Sequence, residues 1–163
     1  NAYELKGYST GGYMISVNQE GSRAISTTNL NYTNTTISVE TQKITGARDT
    51  QFGVVCRFQD KYNFYAFVIS ADGYAGIVRV VDGVKELLGS KQFFRVESIL
   101  MDDGINKITA SCEDDKFRLD VNGETIVTAQ DETINNGDAA LFVETFGTAE
   151  AVVVFNNFVI IKP

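Results

Sequence analysis

The stretch that decides the fold begins Phe52-Gly-Val-Val-Cys-Arg-Phe-Gln-Asp60, continues Asn63-Phe-Tyr-Ala-Phe-Val-Ile-Ser70 and then reaches Asp72-Gly73-Tyr74. A later segment, Phe117-Arg-Leu-Asp-Val-Asn-Gly123, has the same form. In both, a short apolar run ends at a dipeptide that tolerates positive φ. This pattern is typical of antiparallel strands joined by tight hairpins.

Alternation with a period of two continues along the chain and indicates half-buried antiparallel strands. The residues that this alternation directs toward a core are Tyr13, Ile15, Val17, Ile37, Val39, Ile108, Ala110, Cys112, Phe117, Leu119 and Val121. In the deciding stretch it places Val54, Cys56 and Phe58 on one face, with Val55 and Arg57 opposite.

Three runs are apolar on both faces: 64–69, 139–143 and 151–155. We expect them to be central strands or strands whose outer face is covered. The dipeptides Asp72-Gly73, Asp82-Gly83 and Asn122-Gly123 predict type I′ turns. After the second of these, residues 84–88 predict a strand rather than a helical turn. The sequence therefore predicts an all-β protein, a two-sheet antiparallel β-sandwich that forms a single domain over residues 1–163.

Composition excludes several functions. The 163 residues contain no His and no Trp, and the net charge is −7. Without His, nucleophilic schemes based on Ser-His or Cys-His pairs are excluded, and so is the usual zinc hydrolase. The acidic charge disfavours nucleic acid as a partner, and no apolar run is long enough to span a membrane. Because the chain begins at Asn1 rather than Met, we expect a processed or trimmed polypeptide.

The strand and turn motifs above resemble a bacterial extracellular branch of the concanavalin A-like, laminin-G-like β-sandwich family. The resemblance covers residues 12–160 and is strongest at 52–74 and 107–123. It implies a concanavalin-like jelly roll. Relatives include lectin-like modules and sugar-hydrolase-associated domains, so it implies a secreted or cell-surface protein whose partner is a glycan or matrix polymer.

The ends depart from the family pattern, because only residues 1–7 precede the segment that matches Tyr8 to Val17. Residues 152–160 resemble the family's last strand, which usually pairs with the first. Tyr3 and Leu5 alternate as one face of an added strand would. We expect residues 1–7 to pair with the closing strand of their own chain or with that of a neighbouring copy, which would build a filament.

The two cysteines, Cys56 and Cys112, both project toward the core by alternation. An even pair in a secreted chain predicts a disulfide, and the alternative is two separate buried thiols. Two Asn-x-Thr sequences begin at Asn31 and Asn34 in a polar stretch, and each is a glycosylation acceptor or a chance occurrence.

Asp60, Asn63, Asp72 and Tyr74 lie near the ends of the first hairpins, where their oxygens and ring suit a sugar or Ca²⁺. The alternative is that the Asp and Asn side chains only cap turns. No spacing matches a calcium-binding loop, so we expect no cofactor, and calcium stays an alternative without a motif. The acidic pairs 102–103 and 114–115 are interpreted as solvated loop tips.

The sequence predicts no enzyme. Related glucanases carry a Glu-x-Asp-x-x-Glu run on one strand, and this chain has none. Glu144, the lone acid on an apolar strand, is interpreted as a surface position. We therefore expect a non-catalytic module for glycan or matrix recognition. The first alternative is a structural subunit that polymerises with its own copies by strand exchange, and the second is a glycan hydrolase.

Overall fold

The computed structural model describes residues 4–147 and 150–163, which form β-strands and no helix. The strands are β1 Glu4–Ser9, β2 Gly12–Val17, β3 Arg23–Thr27, β4 Thr35–Thr45, β5 Gln51–Asp60, β6 Asn63–Ser70, β7 Tyr74–Val81, β8 Val84–Leu88, β9 Phe94–Arg95, β10 Asn106–Glu113, β11 Lys116–Val121, β12 Glu124–Gln130, β13 Asp138–Glu144 and β14 Ala151–Ile161. In this part of the chain no helix is available to cross a lipid bilayer.

The strands form two antiparallel sheets, which confirms the predicted sandwich. Sheet A has the order β1-β2-β14-β4-β10-β11-β12, and sheet B has the order β3-β13-β5-β6-β7-β8 with β9 added beside β7. The inward faces enclose one apolar cluster, to which Ile15, Ile37, Phe67, Ile108 and Leu119 contribute fully buried side chains. These are positions that period-two alternation directs inward.

Two of the predicted hairpin turns have the expected backbone. Asp82 and Gly83 have φ of 49° and 80°, and Asn122 and Gly123 have φ of 50° and 84°. Positive φ at both central residues is the requirement of a type I′ turn. Residues 84–88 form the predicted strand.

The type I′ prediction at Asp72-Gly73 is wrong, because only Gly73 has positive φ, at 96°. The Asp72 N–H donates to the Arg48 carbonyl at 3.0 Å, and its carboxylate accepts from the Ser70 hydroxyl. The Gly73 N–H closes the turn onto the Ser70 carbonyl at 3.0 Å. These contacts hold Asp72 outside the left-handed region.

A bulge at Arg57 changes the face on which β5 side chains lie. Arg57 has φ of 53°, and the pairing of β5 with β6 shifts register between Cys56 and Asp60. Phe58 consequently packs beside Val55 on the outer face of sheet B, whereas Cys56 faces the core. The prediction that Phe58 shares a face with Cys56 is wrong, since one extra residue inverts the alternation.

The Arg57 side chain joins three separate connections beside this bulge. It is 2% exposed, and its guanidinium donates to the carbonyls of Thr33 at 3.1 Å, Ile134 at 3.0 Å and Asp114 at 2.7 Å. The guanidinium carbon lies 5.2 Å from the centre of the Phe117 ring. Burial lowers the pKa of Arg57, and the neighbouring Tyr65 and Asp114 oppose that shift.

The predicted disulfide between Cys56 and Cys112 is present. It joins β5 of sheet B to β10 of sheet A through the core, where the two residues are 1% and 0% exposed. The cross-link therefore ties the two layers of the sandwich together.

The closing strand β14 lies between β2 and β4 and is paired on both sides only in its first half. Val152 to Phe155 pair with both β2 and β4, whereas the residues from Asn156 to Ile161 pair with β4 alone. The first strand, β1, pairs with β2 across a hairpin. The expectation of pairing with the closing strand of the same chain is therefore wrong for residues 4–7, because β2 is their partner. Pairing with a neighbouring copy is not tested. Leu5 lies on β1 and is 62% exposed, and Tyr3 lies outside the described residues. Self-assembly stays a prediction, and the second half of β14 keeps the partly unpaired edge that motivated it.

The connection from β12 to β13 is fixed by a buried polar cluster around Asp131. The Asp131 carboxylate accepts from the Tyr65 hydroxyl, from the Arg79 guanidinium and from the Thr133 N–H at 2.9 Å. Burial alone would raise the pKa of Asp131, but the bonds from Tyr65, Thr133 and Arg79 hold it below its ordinary value. Burial and the bond to Asp131 raise the pKa of Tyr65 to about 12.

We expect Asp131→Asn to lower the free energy of unfolding by about 2 kcal/mol near neutral pH, since it removes a charge-assisted bond to Arg79. The folded pKa lies below the unfolded value of about 3.9, so the stabilisation is present above about pH 4 and is lost as the pH falls through the folded pKa. Urea unfolding from about pH 7 down to about pH 3 should show the two proteins converging.

The matched control is Asp102→Asn. Asp102 also pairs with an arginine, Arg48 at 2.9 Å, but its side chain is exposed. We expect a change below about 0.5 kcal/mol at every pH. A gap between wild type and Asp131→Asn that stays constant with pH would contradict the role assigned to the carboxylate.

Candidate functional site

The outer face of sheet B is curved strongly enough to bury its own side chains. Val55, Phe64, Val68, Val80 and Phe142 lie on this face, and none is more than 2% exposed. They belong to the strands predicted to be apolar on both faces or to their neighbours in the sheet. The runs expected to be central strands or to have a covered outer face lie in β6, β13 and β14, which are central strands of their sheets, so the first of the two expectations is confirmed.

A charge cluster shows how far the sheet curves. Lys85 on β8 donates to the Glu144 carboxylate on β13, although β5, β6 and β7 lie between those strands. Four strand spacings span about 19 Å in a flat sheet, which is farther than two extended side chains reach. Only a concave face brings the two groups together.

Arg23 completes this cluster from the edge strand β3. Its guanidinium lies 3.2 Å from Glu144 Oε1 and stacks over the Phe64 ring, 5.2 Å from its centre. The Arg23 Nε atom is buried and has no hydrogen-bond partner among the described residues. Glu144 is 8% exposed, so its interpretation as a surface position is wrong, because two cations compensate its burial.

Two adjoining hollows in this concave face, sharing Gln51 and Phe93, form what we call the concave groove. The first hollow has a volume of about 190 Å³, a charged rim of Arg23, Lys85 and Glu144, and an apolar floor that includes Leu87. Its mouth therefore offers both charge and apolar surface.

The second hollow has a volume of about 320 Å³, and Asp49, Ser70, Asp72 and Tyr74 line it. Because Gln51 and Phe93 also line the first hollow, the two hollows form one continuous depression across the outer face.

A glycine on β7 allows Phe93 to lie in the groove. Phe93 comes from the connection between β8 and β9, and its ring covers Gly76. A Cβ added at Gly76 would lie 2.7 Å from a ring carbon of Phe93. A larger residue at position 76 would displace the Phe93 ring from the sheet. Gly76 therefore allows Phe93 to form the side that the two hollows share.

The structure divides the four predicted ligand-binding residues into two pairs. Asp72 and Tyr74 line the second hollow, whereas Asp60 and Asn63 lie at the other end of β6. An eight-residue strand spans about 26 Å, so the pairs cannot share one small ligand. As ligand contacts, all four stay predictions.

Asp60 and Asn63 have the turn-capping contacts that were the alternative. The Asp60 carboxylate accepts from the Tyr62 N–H at 2.8 Å and from the Asn63 amide at 3.0 Å. The side-chain amide oxygen of Asn63 accepts from the Asp82 N–H at 3.1 Å, which links two neighbouring hairpins. Their side chains therefore hold the hairpin tips.

The groove residues that sequence analysis missed are Arg23, Gln51, Lys85 and Phe93. Alternation gives the face of each residue within its strand, but it gives no sign of the curvature that brings β3, β8 and β13 together. The only available signal was the run of strands apolar on both faces, which indicated a covered outer face.

The structure shows where the other predicted site residues lie, but it does not test their predicted roles. Asn31 is exposed, whereas the Asn34 amide donates to the Asp114 carboxylate at 3.3 Å and its oxygen accepts from the Asp114 N–H at 2.9 Å. Glycosylation at either stays a prediction, and Asn31 is the more open acceptor. Within residues 4–147 and 150–163, no three Asp, Glu or Cys side chains gather as a metal site would require. Calcium binding likewise stays untested.

No protein-family model matches the chain, and no curated protein matches it significantly. Solved structures do. The carbohydrate-binding module CBM66 from Bacillus subtilis has a TM-score of 0.79 and 14% identity, over 98% of this chain and 92% of that one. Sheep galectin-11, in complex with glycerol, has a TM-score of 0.58 and 12% identity, over 85% and 96% of the two chains.

An enzyme shares the architecture as well. The family 7 alginate lyase A1-II′, in complex with a product, has a TM-score of 0.65 and 11% identity, over 99% of this chain and 84% of that one. Identities this low show a common fold and leave activity open. The predicted concanavalin-like fold is confirmed, and it is one on which both binding modules and enzymes are built.

Proposed function

We propose that the protein is a non-catalytic glycan-binding module whose ligand lies in the concave groove. The observation that carries the proposal is the groove itself, in which an aromatic ring, an apolar floor and a few convergent polar groups share one depression. Binding sites for small ligands combine apolar lining with a small number of placed polar groups in this way. The carbohydrate-binding module and the galectin of the same fold support a glycan as the ligand class.

Each part of the groove has a role in this proposal. The Phe93 ring offers an apolar surface for the C–H face of a sugar. Gln51 supplies an amide that can both donate and accept, and Glu144 and Lys85 supply charged partners for hydroxyl groups. The first hollow is lined by two cations and two carboxylates, which are Arg23, Lys85, Glu86 and Glu144. Its rim is therefore close to neutral, and the proposal requires no charged sugar.

Two features support a binding role over catalysis. The chain has no His, which removes the commonest general base. Hydrolysis of a glycosidic bond usually needs two carboxyl groups, one of which donates a proton. Glu144 at the groove is held by Arg23 and Lys85, which is a poor setting for a proton donor.

The proposal places the protein outside the cell or at its surface, with a glycan or matrix polymer as its partner. The buried disulfide supports this location, because disulfides persist in oxidising compartments. The alternative of a self-assembling subunit rested on a partly unpaired closing strand. It keeps that basis, because β14 pairs with β4 alone from Asn156 onward.

A glycan array followed by calorimetry on the best ligand tests the proposal. We expect Phe93→Ala and Lys85→Ala each to weaken binding by about tenfold or more, as the loss of one central contact does. The matched controls are Phe94→Ala and Lys91→Ala. Lys91 lies in the same connection and Phe94 begins β9. Both are exposed, and neither lines the groove.

Circular dichroism should show that all four variants remain folded. The wild-type protein should release no reducing ends or unsaturated products from its ligand, whereas turnover would favour the hydrolase alternative. The proposal fails if the array finds no glycan, or if the groove variants bind as tightly as the controls.

A further inference from the structure

A second cavity, separate from the concave groove, opens where the β1–β2 hairpin of sheet A meets β3 of sheet B. Its volume is about 420 Å³. We call it the edge pocket and define it by Tyr8, Tyr13, Thr28, Asn156 and Asn157. Beside it, the Lys6 ammonium group on β1 donates to the Ile25 carbonyl on β3 at 2.8 Å and links the two strands that border the pocket.

The lining of the edge pocket is uncharged. Every residue that lines it is aromatic, aliphatic, hydroxyl-bearing, amide-bearing or glycine. This is notable in a chain of net charge −7. A charged ligand would lose hydration there without gaining a compensating ion, which is costly. The pocket therefore suits a neutral ligand that carries many hydroxyl groups.

Tyr8 forms an exposed aromatic platform at the mouth. It is 91% exposed, and its cross-strand partner Tyr13 holds it edge to face, with ring centres 5.3 Å apart at 84°. The Tyr13 and Ser26 hydroxyl oxygens lie 2.7 Å apart, so a hydrogen bond fixes Tyr13 across the two sheets. An aromatic face held this way can stack on the apolar face of a sugar ring.

A bulge in β14 presents two amides to the same pocket. The pairing of β14 with β4 shifts between Asn156 and Val159, and Asn157 has φ of 53°. The Asn156 amide nitrogen donates to the Gly11 carbonyl at 2.6 Å, and that of Asn157 donates to Glu40 at 2.9 Å. Within the described chain, both amide oxygens are left without a donor and can accept from ligand hydroxyl groups.

The position of Asn156 depends on a glycine in β2. Gly12 has φ of 131°, and a Cβ at this position would lie 2.2 Å from Asn156 Oδ1. Both the bulge and the glycine are needed to bring this amide beside the tyrosines. Bulges often re-aim side chains at functional positions in this way.

We propose that the edge pocket is a second binding site, specific for a neutral saccharide unit. Tyr8 stacks on one face of the sugar ring, and the Asn156 and Asn157 oxygens accept from its hydroxyl groups. The Thr28 hydroxyl donates its proton to Asp138, so it serves as a further acceptor. The edge pocket shares no lining residue with the concave groove, so the two sites are independent of one another. A protein with both sites would bind one glycan bivalently or link two chains.

The test is NMR titration of the full chain, labelled with ¹⁵N, with methyl glycosides of glucose, galactose, mannose and fructose at millimolar concentration. We expect at least one glycoside to shift the amide signals of residues 8–13, 26–28 and 155–158. Tyr8→Ala should weaken that binding by about tenfold or more, and Tyr8→Phe, which keeps the ring, should stay within about threefold of wild type.

Two controls separate this site from the groove. Tyr62→Ala removes another exposed tyrosine, at the turn between β5 and β6, which does not line the edge pocket, and it should leave the titration unchanged. Phe93→Ala should also leave it unchanged, even if groove binding is lost. The proposal is overturned if none of the four glycosides shifts these signals, or if Tyr8→Ala binds as wild type does.

Discussion

Replacing Arg57 with alanine is expected to lower the free energy of unfolding by about 4 kcal/mol. The guanidinium donates to three carbonyls on three different connections, those that follow β3, β10 and β12. Removing it leaves one buried carbonyl, that of Ile134, and two partly buried ones without this donor, and a buried unsatisfied group costs about 1–3 kcal/mol. Lost packing on the Phe117 ring adds to the effect. Urea unfolding followed by circular dichroism measures the change.

Two further variants identify the source of the loss. Arg57→Lys keeps the charge but cannot reach three carbonyls with one ammonium group, so we expect about half of the loss. Arg118→Ala is the matched control, since Arg118 is exposed and, among the described residues, its ion pair is with Asp120 at 3.2 Å. We expect a change below about 1 kcal/mol there. If Arg57→Ala stays within about 1 kcal/mol of wild type, the three bonds do not contribute as assigned.

The sequence predicts those parts of the fold that depend on neighbouring residues. The type I′ turn at Asn122-Gly123 follows from two residues that accept positive φ, and the structure has φ of 50° and 84° there. The inward faces of β10 and β11 follow from simple alternation, as Ile108 and Leu119 show. Such signals act within a few residues and need no knowledge of the other sheet.

The errors occur where distant segments determine local backbone. The bulge at Arg57 is stabilised by carbonyls 24, 57 and 77 residues away along the chain. The residues next to Arg57 in the sequence give no indication of these contacts. Because of this bulge, Phe58 lies on the face opposite to its predicted one. Likewise, Glu144 is buried because Lys85 and Arg23 approach from 59 and 121 residues away.

The candidate site was predicted only in part for the same reason. Asp72 and Tyr74 were identified by turn position, and both line the concave groove. The pairing of Lys85 with Glu144 requires the curvature of the whole sheet, which summed strand twist produces and no single strand encodes. The edge pocket depends on a β14 bulge and on Gly12, and neither has a distinctive sequence signal.

Removing the disulfide is expected to lower the free energy of unfolding by a similar amount, but for a different physical reason. The double variant Cys56→Ala/Cys112→Ala should lower the free energy of unfolding by about 4 kcal/mol, because the cross-link closes a loop with a sequence separation of 56 residues. In the chain-entropy model, that loop restricts the unfolded chain. The bond also joins β5 to β10, so its loss frees the two sheets from each other.

Comparison of oxidised and reduced wild-type protein provides the control. Both sulfur-bearing side chains are buried, so a thiol reductant should leave the native protein oxidised and act only once urea has unfolded it. Wild type unfolded with reductant should then match the double variant, and denatured unreduced protein should contain no free thiol. Two titratable thiols in that sample would contradict the disulfide. A double variant within about 1 kcal/mol of wild type would instead show that native packing, rather than loop closure, holds the sheets together.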